Sequence, residues 1–312
     1  DFRASSGRWR RHGCRAVQKH GRDAVMTDFV TTFTPQSIKR QTMVVFPNAK
    51  INIGLNIVAR REDGYHDIET VFYPIDICDI IEITPSPPGF RFECHPAPDG
   101  CPDEQNLAVR AYRLLQQEFD LPPLCIELVK LIPTGAGLGG GSSDASSVLK
   151  AVNDLCRLGL DDSRLEGLAS RLGADCAFFI AGRPVYATGI GDVFTPVGLS
   201  LSGYHIVVVK PGVSVPTREA FSQVKPRPSS RRLADDVMLP VSQWRHCITN
   251  DFEAGVFALH PEIGQIKDAL YASGALYASM SGSGSAVYGI FDSVPDGVAD
   301  RFAGCFCRVM EM

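Results

Sequence analysis

The fold is decided by the stretch Ile132-Pro133-Thr134-Gly135-Ala136-Gly137-Leu138-Gly139-Gly140-Gly141-Ser142-Ser143-Asp144, in which five glycines fall within seven positions. The preceding residues, Cys125 to Ile132, are typical of a strand, and Ser142 to Arg157 carry the apolar stripe of an amphipathic helix. Glycines let successive backbone N–H groups turn inward without a Cβ clash, and a helix N-terminus adds a partial positive charge. This order of elements therefore predicts an anion cradle, most often for phosphate.

Three known phosphate loops can be compared with this stretch. Gly135-x-Gly137-x-x-Gly140 matches the dinucleotide pattern, but that fold needs a second strand ending in Asp or Glu about 20 residues on, where Gly159 to Arg171 is typical of a helix. A Walker A loop needs Gly-Lys-Ser/Thr, and Gly141-Ser142-Ser143 lacks the lysine. A protein-kinase loop needs His-Arg-Asp and Asp-Phe-Gly downstream, and neither occurs. What is left is a glycine loop before a hydroxyl-rich helix start.

Phosphoryl transfer to an alcohol also needs a proton acceptor and a cation. Lys50 and Asp175 are the candidates, although by spacing alone a cap or turn residue is the better interpretation of Asp175. Lys50 lies on the polar face of a strand predicted from Val44 to Arg61, beside Asn52. From periodicity alone, an ordinary half-solvated strand is the better interpretation of that face.

The other elements follow from turn and capping signals. They are a hairpin turn at Asp63-Gly64, a β-rich run to Ile83, a loop or irregular strand pair from Pro85 to Pro102, a helix capped by Asn106, a helix opened by the capping box Ser163-x-x-Glu166, and a hairpin from Gly182 to Val197. A composition shift near Ser200–Gly203 marks a boundary. Strand His205–Lys210, several helices and a hairpin Ala275–Phe291 follow it. The layout predicts an α+β fold.

The amino-acid composition limits the classes of protein to which the chain can belong. The chain has 312 residues, 45% of them hydrophobic and 21% charged, and no apolar run long enough for a membrane span. Residues 1–42 hold nine basic and three acidic residues, a net of +6, whereas the other 270 carry 22 basic and 32 acidic residues, a net of −10. The acidic body argues against a nucleic-acid partner. Ten cysteines without a C-x-x-C pair fit a reduced, cytoplasmic protein.

Three separated stretches resemble the three motifs of the GHMP kinases, the family of galactokinase, homoserine kinase and mevalonate kinase. They are Pro47–Asn52, Pro133–Ser143 and Ser279–Ser285. The resemblance implies a two-domain fold, with an N-terminal domain like ribosomal protein S5 (43–200) and a C-terminal ferredoxin-like domain (201–312). Residues 1–42 are then a leader that is disordered or lies before the true start. The leader has no counterpart in most members of the family.

The resemblance also implies ATP-dependent phosphorylation of an alcohol, with Mg²⁺. It assigns the proton acceptor to Asp175 and the lysine that keeps it ionised to Lys50. The residues that it assigns to ATP are Asn106, Leu107, Lys130, Pro133, Gly135, Gly137, Leu138, Gly139, Gly140, Gly141, Ser142 and Ser143. Ser142 is the candidate metal ligand.

Within the family, Arg61–His66 and Pro211–Thr217 resemble a branch that acts on a cytidyl diphosphate alcohol. The residues assigned to this substrate are Asn52, Tyr65, His66, Phe72, Pro216, Thr217 and Phe221, with two rings enclosing the base and His66 reading its edge. We expect a monomer or homodimer with small-molecule partners only, neither nucleic acid nor membrane.

Two alternatives remain at this point: another small-alcohol kinase, and a non-catalytic nucleotide-binding regulator on the same fold. The chain also departs from the family at Cys176-Ala177, where relatives usually carry Val-Pro. The loop after Asp175 is therefore expected to be set differently.

Overall fold

The computed structural model describes residues 42–97, 101–229, 231–293 and 295–312. The predicted leader lies outside these ranges, apart from Thr42. No helix in the described part of the chain is long and apolar enough to cross a membrane.

Within those ranges the strands form three four-stranded sheets, in the orders β1-β4-β6-β5, β2-β3-β7-β8 and β10-β11-β9-β12. Their bounds are β1 Met43–Val45, β2 Asn48–Arg60, β3 His66–Cys78, β4 Ile80–Pro85, β5 Arg91–His95, β6 Leu124–Val129, β7 Val185–Thr188, β8 Val193–Pro196, β9 His205–Lys210, β10 Tyr277–Met280, β11 Val287–Phe291 and β12 Phe306–Glu311. Neighbouring strands pair antiparallel, except β5 with β6.

The helices of the described ranges connect and cover these sheets. They are α1 Leu107–Glu118, α2 Gly140–Cys156, α3 Asp162–Ser170, α4 Cys176–Ala181, α5 Thr217–Ser222, α6 Leu233–Asp236, α7 Val241–Trp244, α8 Glu253–Leu259 and α9 Pro261–Ala272, with 3₁₀ turns at Asp103–Gln105 and Asp300–Phe302. Helices α1 and α2 bury their apolar faces in one core with β4 and β6.

The long hairpin β2–β3 carries the first functional stretch into the centre of the molecule. Ala49, Ile51 and Ile53 are buried, as the alternation predicts. Lys50 and Asn52 are buried as well, each only 3% exposed. The interpretation of this face as a half-solvated strand surface is therefore wrong. A lysine is seldom buried unless it has partners, so the burial of Lys50 points to a site.

Several predicted boundaries shift in the structure. The strand before the glycines ends at Val129, and helix α2 already begins at Gly140. The capping box at Ser163 is wrong, because the Asp161 side chain accepts from the N–H of Arg164 and caps α3. Asn106 caps α1 as predicted, accepting from the N–H of Ala108.

One hydrophobic core joins residues on both sides of the predicted boundary near residue 200. It contains Ile51 and Ile53 of β2 together with Ile206 of β9 and Tyr288 of β11. The Tyr288 hydroxyl also donates to the backbone oxygen of Asn52, at 2.9 Å. Strand β2 is thereby fixed against the third sheet. The division at residue 200 stays a prediction.

Candidate active site

The glycine loop, residues 130–139, runs between strand β2 and the β10–β11 connection. Both neighbours hold the loop by its carbonyl groups. The N–H of Ala286 donates to the oxygen of Ala136 at 3.1 Å, and the N–H of Lys50 donates to the oxygen of Leu138 at 2.9 Å. Backbone contacts from two separate elements therefore fix the loop.

The peptide that joins Gly137 to Leu138 lies between the two peptides just described, and side chains hold it. The carbonyl oxygen of Gly137 accepts from the Ser281 hydroxyl at 2.8 Å and from the Lys50 ammonium at 3.2 Å. Gly137 itself has a φ of +75°, and a Cβ on it would lie 2.0 Å from the carbonyl oxygen of Ser281. A glycine is required at this position because any other residue would force the two loops apart.

The opposite edge of the loop is free. Within the described residues, the N–H groups of Gly137, Leu138 and Gly139 have no hydrogen-bond partner. Because a trans peptide points its N–H away from its C=O, each held carbonyl turns the N–H of its own peptide away from the group that holds the carbonyl. These three N–H groups lie directly before the N-terminus of α2, whose dipole favours negative charge. They are the groups that the predicted anion cradle would use, and anion binding stays a prediction.

Lys50 is a cation in direct contact with the loop. Its ammonium donates to the Asn52 side-chain oxygen at 2.5 Å and lies 3.6 Å from a carboxylate oxygen of Asp175. Burial lowers the pKa of Lys50, and the negative charge of Asp175 offsets part of that shift. The structure thus brings together two residues that are 125 positions apart in the sequence.

Asp175 precedes helix α4 and keeps its side chain 34% exposed. It occupies the N-cap position of α4 and lies in a turn, as the alternative interpretation has it, but its side chain makes no cap hydrogen bond. At Cys176-Ala177, where the sequence departs from the family pattern, hydrogen bonds fix the backbone. The N–H of Cys176 donates to the oxygen of Gly173, and the Ser146 hydroxyl donates to the oxygen of Cys176 at 2.7 Å. Burial raises the pKa of the Cys176 thiol to about 11, which keeps it protonated.

A cavity of about 290 Å³ opens on the Asp175 side of the glycine loop, and we call it the acceptor cavity. Its walls combine residues of all three motifs with apolar side chains: Lys50, Asn52, Leu55, Ile68, Phe72, Gly135, Gly137, Gly139, Asp175, Ile190, Val215, Thr217, Phe221, Phe252, Gly282, Ser283 and Gly284. A carboxylate and an ammonium group therefore face the same space as the glycine loop.

Two adjoining cavities of about 520 and 330 Å³ share the glycine loop as a wall, and we call them the nucleotide cavity. Most of the residues predicted to bind ATP line them: Asn106, Leu107, Lys130, Pro133, Gly135, Gly137, Leu138, Gly139, Gly140, Gly141 and Ser142. Ser143 does not, because its side chain is buried within α2.

Pro216 and Thr217, which were predicted to bind the substrate, lie at the start of α5. The Thr217 hydroxyl lies 3.3 Å from the Ser283 hydroxyl, and Pro216 is the residue directly before the helix.

Lys130 is fixed in the nucleotide cavity by two acids. Its ammonium contacts the carboxylates of Asp79 and Asp144, the latter at 2.7 Å. Asp79 also accepts from the N–H groups of Leu131 and Ile132 at 2.6 and 2.8 Å. Burial raises the pKa of Asp144 to about 7, against the opposing charge of Lys130. Asp79 thus ties the start of the glycine loop to the sheet.

The aromatic residues assigned to the substrate fall into two groups. The ring of His66 stacks on Phe221 with centroids 4.7 Å apart, and Tyr65 beside them is 61% exposed. A base enclosed between two rings separates them by about 7 Å, since each contact takes about 3.5 Å. His66, which was predicted to read the edge of the base, is instead stacked directly on Phe221 here, with no room for a base between the two rings. Phe72 is buried, contacts the edge of Phe178, and forms part of the cavity wall.

Three further residues of the site were missed by the sequence reasoning. Ser281 belongs to a quoted motif, yet nothing assigned a role to its hydroxyl. Asn250 donates to the carbonyl oxygens of Met280 and Gly282, both at 2.8 Å. No local signal reveals the roles of Asp79 and Asn250 in the site, because the contacts that hold the site depend on residues more than 29 positions away.

Comparison with known proteins supports the same family in both halves of the chain. The family model described as the GHMP kinases N terminal domain matches residues 106–183, and the one described as GHMP kinases C terminal matches residues 241–306.

Curated relatives match over nearly their whole length. The 4-diphosphocytidyl-2-C-methyl-D-erythritol kinase of Bacteroides fragilis is 52% identical over 274 residues, which cover 86% of this chain and 100% of that protein. The kinase of the same name from Parabacteroides distasonis is 50% identical over 266 residues, covering 85% and 97%.

Comparison with solved structures supports the same family. The crystal structure of a 4-(cytidine 5'-diphospho)-2C-methyl-D-erythritol kinase superposes with a TM-score of 0.73 at 32% identity and covers 86% of this chain and 100% of the other. Mevalonate kinase of Methanococcus jannaschii, at 13% identity with a TM-score of 0.65 and coverage of 86% and 97%, shares the fold alone. The predicted α+β GHMP fold and the kinase class are confirmed. This chain belongs to the GHMP kinases, and within them it groups with the 4-diphosphocytidyl-2-C-methyl-D-erythritol kinases.

Proposed function

We propose that this kinase transfers the γ-phosphoryl group of ATP to the 2-hydroxyl of 4-diphosphocytidyl-2-C-methyl-D-erythritol, a step of isopentenyl diphosphate biosynthesis by the non-mevalonate pathway. The observation that carries this proposal is the Lys50–Asp175 pair at 3.6 Å, facing the acceptor cavity just beyond the glycine loop. Relatives of the same name at half identity support the choice of substrate.

Asp175 accepts the proton of the substrate hydroxyl. The hydroxyl oxygen forms a bond to the γ-phosphorus as the bond from that phosphorus to the β–γ bridging oxygen breaks, and ADP leaves. Partial exposure of Asp175 to the acceptor cavity supports this role, because the group has to meet a bound substrate. A positioned carboxylate of this kind contributes about 10²–10⁴-fold to a rate.

Lys50 lies 3.6 Å from a carboxylate oxygen of Asp175 and supplies positive charge where the transferred group passes. The ammonium is almost fully buried, so its interaction with a developing negative charge is screened less than in water. Its contacts with Asn52 and Gly137 hold it in one position. The cost of burying the charge is consistent with a functional role.

The nucleotide is held on the other side of the loop. The adenine and ribose occupy the space lined by Asn106, Leu107 and Lys130, and the phosphates lie along the free N–H groups of the loop. This arrangement places the γ-phosphate at the wall shared with the acceptor cavity. Gly135 lines cavities on both sides of that wall.

Mg²⁺ fits this donor set as a companion of the ATP phosphates. In the described ranges no group of three or more His, Cys, Asp or Glu residues gathers. Mg²⁺ commonly keeps several waters and binds through substrate phosphates plus one or two protein oxygens. The Ser142 hydroxyl, half-buried in the first turn of α2, would hold it. The ion supplies neutralisation of phosphate charge during transfer.

We infer a cytoplasmic location, supported by the nine free cysteines of the described ranges. The assembly state, monomer or homodimer, stays a prediction.

The test is ATP consumption, coupled to ADP detection, with the diphosphocytidyl alcohol against galactose, homoserine and mevalonate. We expect turnover with the cytidyl substrate alone. Equal turnover with an alcohol that lacks the cytidyl group would favour another small-alcohol kinase. No ATP consumption with any of them would favour a nucleotide-binding regulator.

Replacement Phe221→Ala tests the cytidyl part of the proposal. Stacking of a base on an aromatic ring is worth about 1–3 kcal/mol, so we expect the KM for the cytidyl alcohol to rise about 5- to 150-fold. The KM for ATP should stay unchanged, because Phe221 lines only the acceptor cavity. Steady-state kinetics with each substrate varied in turn provide the measurement. Phe306→Ala on β12 is the matched control, and equal changes in both KM values would contradict the assignment.

A further inference from the structure

Three consecutive peptides of the glycine loop are oriented by donors from elsewhere in the chain. The outer two are held by backbone N–H groups, those of Ala286 and Lys50. Only the middle peptide, between Gly137 and Leu138, depends on side chains, namely the Ser281 hydroxyl and the Lys50 ammonium. It is therefore the one peptide of the three whose orientation a side-chain replacement can release.

The Ser281 hydroxyl makes a second bond that links the loop to strand β2. It accepts from the N–H of Asn52 at 3.1 Å while it donates to the oxygen of Gly137 at 2.8 Å. The residue is fully buried. One hydroxyl group thus connects the first motif, which carries Lys50, with the second motif, which carries the cradle.

Asn250 holds Ser281 in place from the far side. Its amide donates to the carbonyl oxygens on both flanks of Ser281, those of Met280 and Gly282, while its own oxygen accepts from the N–H of Phe252 at 3.0 Å. All three bonds are buried. The position of the Ser281 hydroxyl is therefore set by the fold and does not depend on a bound ligand.

We propose that Ser281 is a positioning residue for phosphoryl transfer, which fixes the direction of the Leu138 N–H and the distance between the cradle and Lys50. The inference rests on the proposed function, since it names which N–H group of the cradle is aligned and how. Without the hydroxyl, the carbonyl of Gly137 keeps only the Lys50 ammonium as donor. The peptide can then turn, and the Leu138 N–H turns with it.

The direct test is Ser281→Ala, with Ser279→Ala as the matched control. Both replacements remove one buried hydroxyl two residues apart, but that of Ser279 donates to Glu253 at 3.1 Å, outside the site. We expect both variants to fold and to lose similar thermal stability. For Ser281→Ala alone we expect kcat to fall about 10- to 100-fold, the effect of a small misplacement of reacting groups.

Steady-state kinetics and thermal unfolding provide the readouts. We expect the KM for ATP in Ser281→Ala to stay within about threefold of the wild-type value, because an interaction needed only for transfer lowers kcat without weakening substrate binding. Ser281→Cys keeps a weak donor and should give a kcat between those of wild type and Ser281→Ala. If Ser281→Ala does not fold, Ser281→Cys is measured in its place.

Two results would overturn the inference. One is a kcat of Ser281→Ala equal to that of Ser279→Ala. The other is a raised KM for ATP at unchanged kcat, which would give the hydroxyl a role in binding only. Absence of turnover by the wild-type enzyme would instead reject the proposed substrate, so the two failures are distinguishable.

Discussion

Replacement of Asp175 by Asn is expected to lower kcat by about 10²–10⁴-fold, the usual contribution of a positioned proton acceptor. The amide has nearly the shape of the carboxylate but cannot take the substrate proton. It also removes the charge that offsets the effect of burial on the pKa of Lys50. Affinity for ATP should be retained, because Asp175 lines the acceptor cavity and no part of the nucleotide cavity.

Single-turnover kinetics and calorimetric titration with ATP would separate these two effects. Asp161→Asn is the control, since it makes the same chemical change at the cap of α3, where Asn caps as well as Asp. A kcat near the wild-type value in Asp175→Asn would reject the proton-acceptor role while leaving the family assignment intact.

Replacement of Gly137 by Ala is expected to abolish turnover and to destabilise the protein. The added Cβ would lie 2.0 Å from the carbonyl oxygen of Ser281, a backbone atom held by Asn250 on both flanks. The residue would also adopt a φ of +75°, which costs an L residue about 1–2 kcal/mol. With the overpacking added, the loss of unfolding free energy should reach about 2–5 kcal/mol.

Thermal unfolding and activity are to be measured on the same preparation. Gly198→Ala is the comparison, because a Cβ there meets no atom within 4 Å. We expect that variant to unfold and turn over as wild type does. If Gly137→Ala behaved in the same way, the close approach of the two loops would not exist in solution.

Much of the fold follows from local patterns. The alternation of Ala49, Ile51 and Ile53 identifies β2 and its buried face, and Asn106 caps α1 as its position suggests. The glycine spacing predicts a tight loop before a helix, and the φ of +75° at Gly137 is one that glycine adopts readily. Local chemistry decides these features, so the sequence exposes them.

What could not be derived from local patterns depends on distant partners. Periodicity treats Lys50 as a solvated residue, because the loop and the β10–β11 connection that bury it lie far along the chain. The choice of Asp161 over Ser163 as a cap depends on where the turn after α2 ends. The pairing of Lys50 with Asp175 was predicted only from the family resemblance. The role of the Ser281 hydroxyl was predicted neither from local patterns nor from the resemblance.

The site divides its two tasks between different parts of the polypeptide. In the proposed function the phosphoryl donor would meet main-chain amides, whose polarity is the same in every protein and which neither a side-chain replacement nor a change of pH can remove. The acceptor would meet side chains such as Phe221, Asn52 and Ile190, which line the acceptor cavity. Evolution can therefore rewrite the acceptor wall one residue at a time while donor chemistry persists. Kinases for other alcohols could diverge on this scaffold without reinventing how ATP is held.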